Sequence, residues 1–212
     1  MMEIFEDLEQ NSDAGRACRA GIPTASCFSQ ILAKGQGKTR AAYMRRLAAE
    51  IITGEPLESF TSAAMERGHA LEDDARQLYA FMHDVEPKHV GFIRNDRKGC
   101  SPDSLINDNA LLEIKTQRGD LLIETIQKDE FPSCHVAQVQ GQLWIAEREY
   151  CDLLVYWPGL PPFIKRAYRD EKFISELSRA MSDFNNDLDT LVSRIRAYGG
   201  QDAPVSDMKA GA

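Results

Sequence analysis

Nowhere does the 212-residue sequence hold an apolar run approaching the ~20 residues needed to cross a bilayer, so a membrane-spanning role is not expected. The opening residues, Met1 to Asp7, are acidic and lack the basic and apolar stretches of a secretory leader, which predicts a cytoplasmic protein. Cysteine is sparse: Cys18, Cys27, Cys100, Cys134 and Cys151 are five in number, scattered, and form no C-x-x-C pair. That argues against a disulfide framework or a structural zinc site and for reduced thiols. It also counts against an iron–sulfur cluster, which would need a four-cysteine ligand set. The four histidines, His69, His83, His89 and His135, show no ligand spacing. Gly35-Gln36-Gly37-Lys38 lacks the G-x-x-x-x-G-K-[ST] spacing of a nucleotide-hydrolysing phosphate loop, so it reads as a flexible connection. No internal repeat is present.

What the chain does contain is enough apolar residues for one real core. Hydrophobic residues make up 43% and charged residues 27%, as in soluble globular proteins. One domain over residues 1–198 is expected, followed by a disordered tail at 199–212. Acids outnumber bases, 33 to 25, for a net charge of −8. Charge placement matters more than its sum. Residues 34–46 carry Lys34, Lys38, Arg40, Arg45 and Arg46 with no acid among them, whereas acids gather at 1–13, 66–74 and 170–189. A basic face on an acidic exterior would accommodate a polyanion.

Periodicity and turn signals give the order of elements. Residues 1–20 read as irregular. Pro23-Thr24-Ala25-Ser26 opens a helix with Phe28, Ile31 and Leu32 at helical spacing. Thr39 is the expected cap of a helix over 39–53, stopped by Gly54. A long helix over 61–82 has Leu71, Ala75, Leu78 and Met82 as its apolar stripe, with Gly68 and Glu72 sharing a face four residues apart. A strand at 90–93, paired strands at 101–106 and 110–116, a helix at 119–129 and a helix at 135–147 follow. Strands at 151–157 and 163–169 then lead to a final helix over 170–198. Its expected stripe is Phe173, Leu177, Met181, Phe184, Leu188, Leu191 and Ile195. The pattern predicts an α/β sandwich, a mixed central sheet flanked by helices.

The paired strands carry the chemistry. Ser101-Pro102-Asp103 is followed ten residues on by Glu113-Ile114-Lys115, with the polar turn Asn107-Asp108-Asn109 between two apolar segments. If Asn109 is left-handed in a three-residue loop, Ile106 pairs with Ala110 and Asp103 falls opposite Glu113. The two Cβ atoms would then be about 4.5–5.5 Å apart. Lys115 shares that face, while Leu112 and Ile114 point into a core. At about 4 Å two carboxylates repel by roughly 4 kcal/mol at an effective dielectric of 20. A divalent cation such as Mg²⁺, or Mn²⁺ in its place, is the natural relief. Lys115 would hold an attacking water or offset charge on a phosphoryl group. On the short motif alone, a solvated surface hairpin is an equal alternative.

The order of a helical Glu72, Ser101-Pro102-Asp103, Glu113-Ile114-Lys115 and then Gln138 resembles the PD-(D/E)XK nuclease superfamily. More narrowly, the chain resembles the lambda-type alkaline exonucleases, the YqaJ-like viral recombinases. The likeness runs from Arg19 through Ser26, across Gly68 and Glu72-Asp73-Asp74-Ala75-Arg76, and on through Cys100-Ser101-Pro102-Asp103 and Leu112-Glu113-Ile114-Lys115. Ala137-Gln138-Val139-Gln140 and Arg169-Asp170-Glu171-Lys172 extend it. The resemblance implies a processive 5′→3′ exonuclease on double-stranded DNA that releases mononucleotides and leaves 3′ single-stranded tails for a single-strand annealing protein. It implies Asp103, Glu113 and the Ile114 carbonyl as metal ligands, Glu72 in support of a second metal, Lys115 as water-positioning residue and Gln138 at the site's edge. Arg19 and Ser26 would grip the 5′-terminal phosphate, and a homotrimeric ring, a bacterial host cell and a phage or prophage origin are implied as well. The roles of Asn95, Asp96, Arg118 and His135 stay open. Two other functions are compatible with the motif: an endonuclease of the same superfamily, or a non-catalytic DNA-end-binding scaffold.

Overall fold

The structure is a computed structural model that describes residues 1–6, 8, 12–33, 37–57 and 63–198, the side chains of 63–66 and 69 excepted. The expected tail at 199–212, Lys34 and the first residues of the expected 61–82 helix lie outside the described residues. The sheet that organises the fold has four strands in the order β4 (Ser104–Ile106), β5 (Ala110–Thr116), β6 (Tyr150–Tyr156), β7 (Phe163–Tyr168). β5 and β6 run parallel and the other pairs antiparallel. A parallel pair needs a crossover, and here α5 (Gly119–Lys128) and α6 (Ser133–Ala146) supply it.

Strand alternation decides what each face meets. Leu112, Ile114 and Leu154 pack with Ala75 and Tyr79 of α4 (Ala63–His83). Leu111 and Cys151 face the other way, into a core with Val139 and Leu143 of α6. That core also takes Tyr43 and Leu47 of α3 (Lys38–Thr53) and Leu177, Phe184 and Leu188 of α7 (Glu171–Tyr198). Leu122 of α5 closes the same side against Leu153 and Val155. This is the α/β architecture expected, a mixed sheet between helical layers.

Several local expectations are corrected. The described part of residues 1–20 is not irregular: β1 (Met2–Phe5) pairs with β2 (Phe92–Asn95), which pairs with β3 (Lys98–Cys100) in a small antiparallel sheet. α1 (Asp13–Arg19) follows β1, capped by Ser12, whose Oγ accepts from Gly15 N at 3.0 Å. The cap of α3 is Gly37, at φ 66°, and not Thr39. The buried stripe of α4 runs through Ala75 and Tyr79, leaving Met82 49% exposed. In α7, Ile174 and Val192 are buried where Ile195 was expected, and Ile195 is 46% exposed. Asp170 lies before this helix and its Oδ1 accepts from Lys172 N and Phe173 N, both at 3.0 Å, which caps the first turn.

Candidate active site

The β4–β5 turn sets the geometry. Ile106 pairs with Ala110, Leu105 with Leu111 and Ser104 with Leu112, and one further step places Asp103 opposite Glu113. The left-handed residue of the loop is Asn107, at φ 46°, not Asn109. Asparagine tolerates that conformation at either position, and the register is the same. Asp103 Oδ2 accepts from the Ile114 backbone N–H, which ties the carboxylate to the facing strand.

Glu113 is only 2% exposed, and both its oxygens are engaged. Oε1 accepts from Lys115 Nζ at 2.6 Å and from Gln138 Nε2 at 2.5 Å. Oε2 accepts from Gln142 Nε2 at 2.6 Å. The two glutamines stand one turn apart on α6, so one helical face feeds one carboxylate. Burial works against the Lys115 ammonium, but Glu113 and Asp103 outweigh it and raise its pKa, so Lys115 is a donor and not a base. Asp103 shows the opposite tension. Burial, then the charges of Glu113 and Glu72, push its carboxyl well above the usual carboxylate range, against the pull of Lys115 and the Ile114 N–H.

Glu72 enters from α4. Its Oε1 accepts from Arg76 Nη2 at 2.5 Å, and Arg76 Nε donates to Ser104 Oγ at 3.0 Å. α4 reaches this edge because Gly68 has no side chain: a Cβ there would lie 2.9 Å from Thr116 Oγ1. Among the described residues no three His, Cys, Asp or Glu side chains form a ready-made metal cluster. The donor set nevertheless fits a hard cation of few protein ligands. Asp103 and Glu113 are mutually repelling carboxylates, and a Mg²⁺-like ion held by them would take its remaining ligands from water and phosphate oxygens. Glu72 stands near enough to act on Asp103 electrostatically but is held by Arg76.

His135 begins the same face of α6. Burial lowers its pKa, the Lys115 ammonium lowers it further and Glu113 opposes both, so the imidazole is neutral beside the site. Asn95, Asp96 and Arg118 are not brought to these acids by any contact described. Asn95 Nδ2 donates to Ile145 O at 3.0 Å, Asp96 forms the β2–β3 turn at φ 57°, and Arg118 pairs with Asp120 at the start of α5.

Arg19 and Ser26 come from the N-terminal third. Arg19 ends α1, with its guanidinium 5.7 Å from the centre of the Phe92 ring and Nη2 donating to Gly91 O at 3.4 Å. Its Nε is buried with no protein partner among the described residues, and burial lowers the guanidinium pKa. Ser26 lies exposed in the 3-10 turn Ala25–Cys27, its Oγ 3.3 Å from Thr24 Oγ1. The two are linked through packing: Phe92 covers Gly99, which bridges Thr24. The same turn sits on α6, where Gly141 leaves room for Phe28 and Ala25. Gln142 and Arg76 were not singled out from the sequence. The available signal was their i, i+4 spacing from Gln138 and Glu72.

A family model described as the YqaJ-like viral recombinase domain matches residues 16–149. That span is well over half of the chain. The chain belongs to the YqaJ-like viral recombinase family. Its structure is similar to that of the alkaline exonuclease LHK-Exo from Laribacter hongkongensis, at 30% identity and a TM-score of 0.81, covering 88% of this chain and 97% of that one. A second structure of LHK-Exo, in complex with dAMP, matches equally well. A phage-related exonuclease from Haemophilus somnus 129PT shares the fold at 15% identity and a TM-score of 0.63, covering 82% of this chain and 96% of that one. No curated protein matches the sequence. For this family member, then, the hairpin acids, Lys115 and the α6 glutamines lie within a nuclease fold.

Proposed function

We propose that this YqaJ-family protein is a Mg²⁺-dependent 5′→3′ exonuclease on double-stranded DNA, releasing mononucleotides and leaving 3′ tails for an annealing protein. The observation that carries the reading is the convergence of Asp103, tied to the Ile114 N–H, with Glu113 and Lys115, which are hydrogen-bonded to each other on β5. Asp103, Glu113 and the Ile114 carbonyl would hold the ion, Mn²⁺ serving as a substitute, with Glu72 in support of a second ion. A cation bound there supplies charge neutralisation of the scissile phosphoryl group. Lys115, kept as an ammonium by Glu113, donates to the attacking water or to the negative charge that builds on phosphorus. Gln138 and Gln142 fix Glu113 so that its oxygens do not wander during turnover.

Water attack at phosphorus breaks the bond to the 3′-oxygen of the terminal nucleotide. That oxygen takes a proton and leaves as part of a mononucleotide, and the shortened strand keeps the new 5′-phosphate. Each cycle therefore regenerates the group that Arg19 and Ser26 would grip, which suits repeated cutting from one end. The orphaned Nε of Arg19, buried beside Phe92, supports an anion there. The dAMP held by LHK-Exo supports a mononucleotide product. A homotrimer that encircles duplex, in a bacterial cytoplasm, is the assembly in which such a cycle becomes processive.

Linear duplex labelled separately at each 5′ and 3′ end tests the reading, with closed circular plasmid alongside. Loss of the 5′-labelled strand in Mg²⁺, none in EDTA, and an intact circle are expected. Cutting of the circle, or loss from the 3′ end, overturns it. Arg19→Ala is expected to narrow the preference for 5′-phosphorylated over 5′-hydroxyl ends. An equal loss on both ends removes Arg19 from that role.

A further inference from the structure

Arg76 joins α4 to the start of β4 beside the acids. Its side chain is 15% exposed and reaches from its own helix to the start of β4. Nη2 donates to Glu72 Oε1 at 2.5 Å and lies 3.4 Å from the backbone carbonyl of Asp103, Nε donates to Ser104 Oγ at 3.0 Å, and Nη1 pairs with Asp73. Ser104 Oγ in turn donates to the Asp103 carbonyl at 2.6 Å. The planar fork thus joins the helix that carries Glu72 to the residue pair that carries Asp103. Tyr79, at the i+3 position from Arg76 on the same helix, anchors the next turn to the sheet through Asp152 Oδ2 at 2.7 Å. α4 is therefore docked at two successive polar points, and the first is the one next to the acids.

We infer that Arg76 is a positioning residue of the metal site: it holds Glu72 and Asp103 in register and masks one negative charge until substrate and cation arrive. The inference rests on the nuclease reading above. Charge counting gives it a signature. In formal charge, Asp103, Glu113, Glu72 and Asp73 with Lys115 and Arg76 carry −2, and removing Arg76 makes the cluster −3. Cation attraction should rise by that extra charge, while Glu72 and the Asp103 backbone lose their common support. A group that served only to stabilise the fold would not tighten cation binding when removed.

The test is a titration of the metal-free, DNA-free protein with Mn²⁺, read calorimetrically, beside kcat and KM on linear duplex. For Arg76→Gln the expected result is Mn²⁺ binding tighter by about tenfold, with kcat lowered tenfold or more and KM for DNA little changed. Arg76→Lys restores the wild-type Mn²⁺ affinity but only part of kcat, because an ammonium cannot span the same partners. Mn²⁺ affinity unchanged or weakened in Arg76→Gln, with a folded circular dichroism spectrum, overturns the inference. So does full kcat. If instead the wild-type protein binds Mn²⁺ but degrades no duplex, the nuclease reading fails, and the Arg76 effect on Mn²⁺ is still measurable by itself.

Discussion

Asp103 shows how a single side chain is tuned against its own stability. Its carboxylate sits beside Glu113 and within the field of Glu72, and burial compounds the repulsion. Only Lys115 and the Ile114 N–H offset it. Without a cation the folded state therefore carries negative charge that is only partly offset, an arrangement expected of the proposed metal site. Asp103→Asn keeps the shape and removes one charge. The expected outcome is loss of hydrolysis together with a higher thermal midpoint in EDTA, by about 1 kcal/mol of added stability. Mg²⁺ should raise the wild-type midpoint and leave that of the variant nearly unmoved. A calorimetric scan of both proteins with and without Mg²⁺ checks this, and a variant less stable than wild type in EDTA would refute it.

At the scale of elements, what was readable in the sequence depended on how local its cause is. The β4–β5 register was legible because apolar alternation and a three-residue polar turn fix it, so Asp103, Glu113 and Lys115 could be placed together. Gln142 was not legible as a Glu113 donor, because its direction depends on how α6 crosses the sheet. β1 escaped notice for the same reason: its partner Phe92–Asn95 lies some 90 residues away. The α4 stripe slipped from Met82 to Tyr79 because Tyr79 has a buried partner in Asp152, a pairing no periodicity announces. Two contacts between elements can be tested. A Cβ at Gly141 would come 2.4 Å from Phe28 Cδ2, so Gly141→Val should cost about 1–3 kcal/mol by overpacking, read as a lower denaturation midpoint. α7 is tied to the β2–β3 turn by Asp189 and Arg97, at 2.6 and 2.7 Å. The hydrogen bonds from Arg97 lower the Asp189 pKa, so this contribution is full above the ordinary carboxylate pKa and is lost as pH falls through the depressed one. Both side chains are about half exposed, which limits the effect to roughly 0.5 kcal/mol. Asp189→Asn should therefore lower stability at pH 7, and the difference should shrink as the pH is lowered below the ordinary carboxylate range, measured by urea denaturation across a pH series.

The whole molecule is acidic, yet its proposed substrate is a polyanion, and the basic run of α3 would reconcile the two if it faces the duplex. Of the basic run, Arg40 is committed to Asp187 at 2.8 Å and Arg46 to Glu50 at 3.1 Å. Lys38 and Arg45 are exposed, with no ion pair among the described residues, and stand two turns apart on one face of the helix. Two free cations on one face of a protein of net charge −8 form a local attraction that screening at physiological salt, over about 8 Å, does not average away. If that face meets duplex phosphate, each lost contact lowers the salt dependence of binding by about 0.9 in the log–log slope. Lys38→Ala with Arg45→Ala, placed in the Asp103→Asn background to prevent digestion, should weaken binding of a short duplex and reduce that slope by nearly 2. In the active background the same pair should leave kcat at saturating DNA unchanged, since neither residue lies among the acids. Fluorescence anisotropy across a KCl series reads the slope; an unaltered slope would place the duplex on another face of the protein.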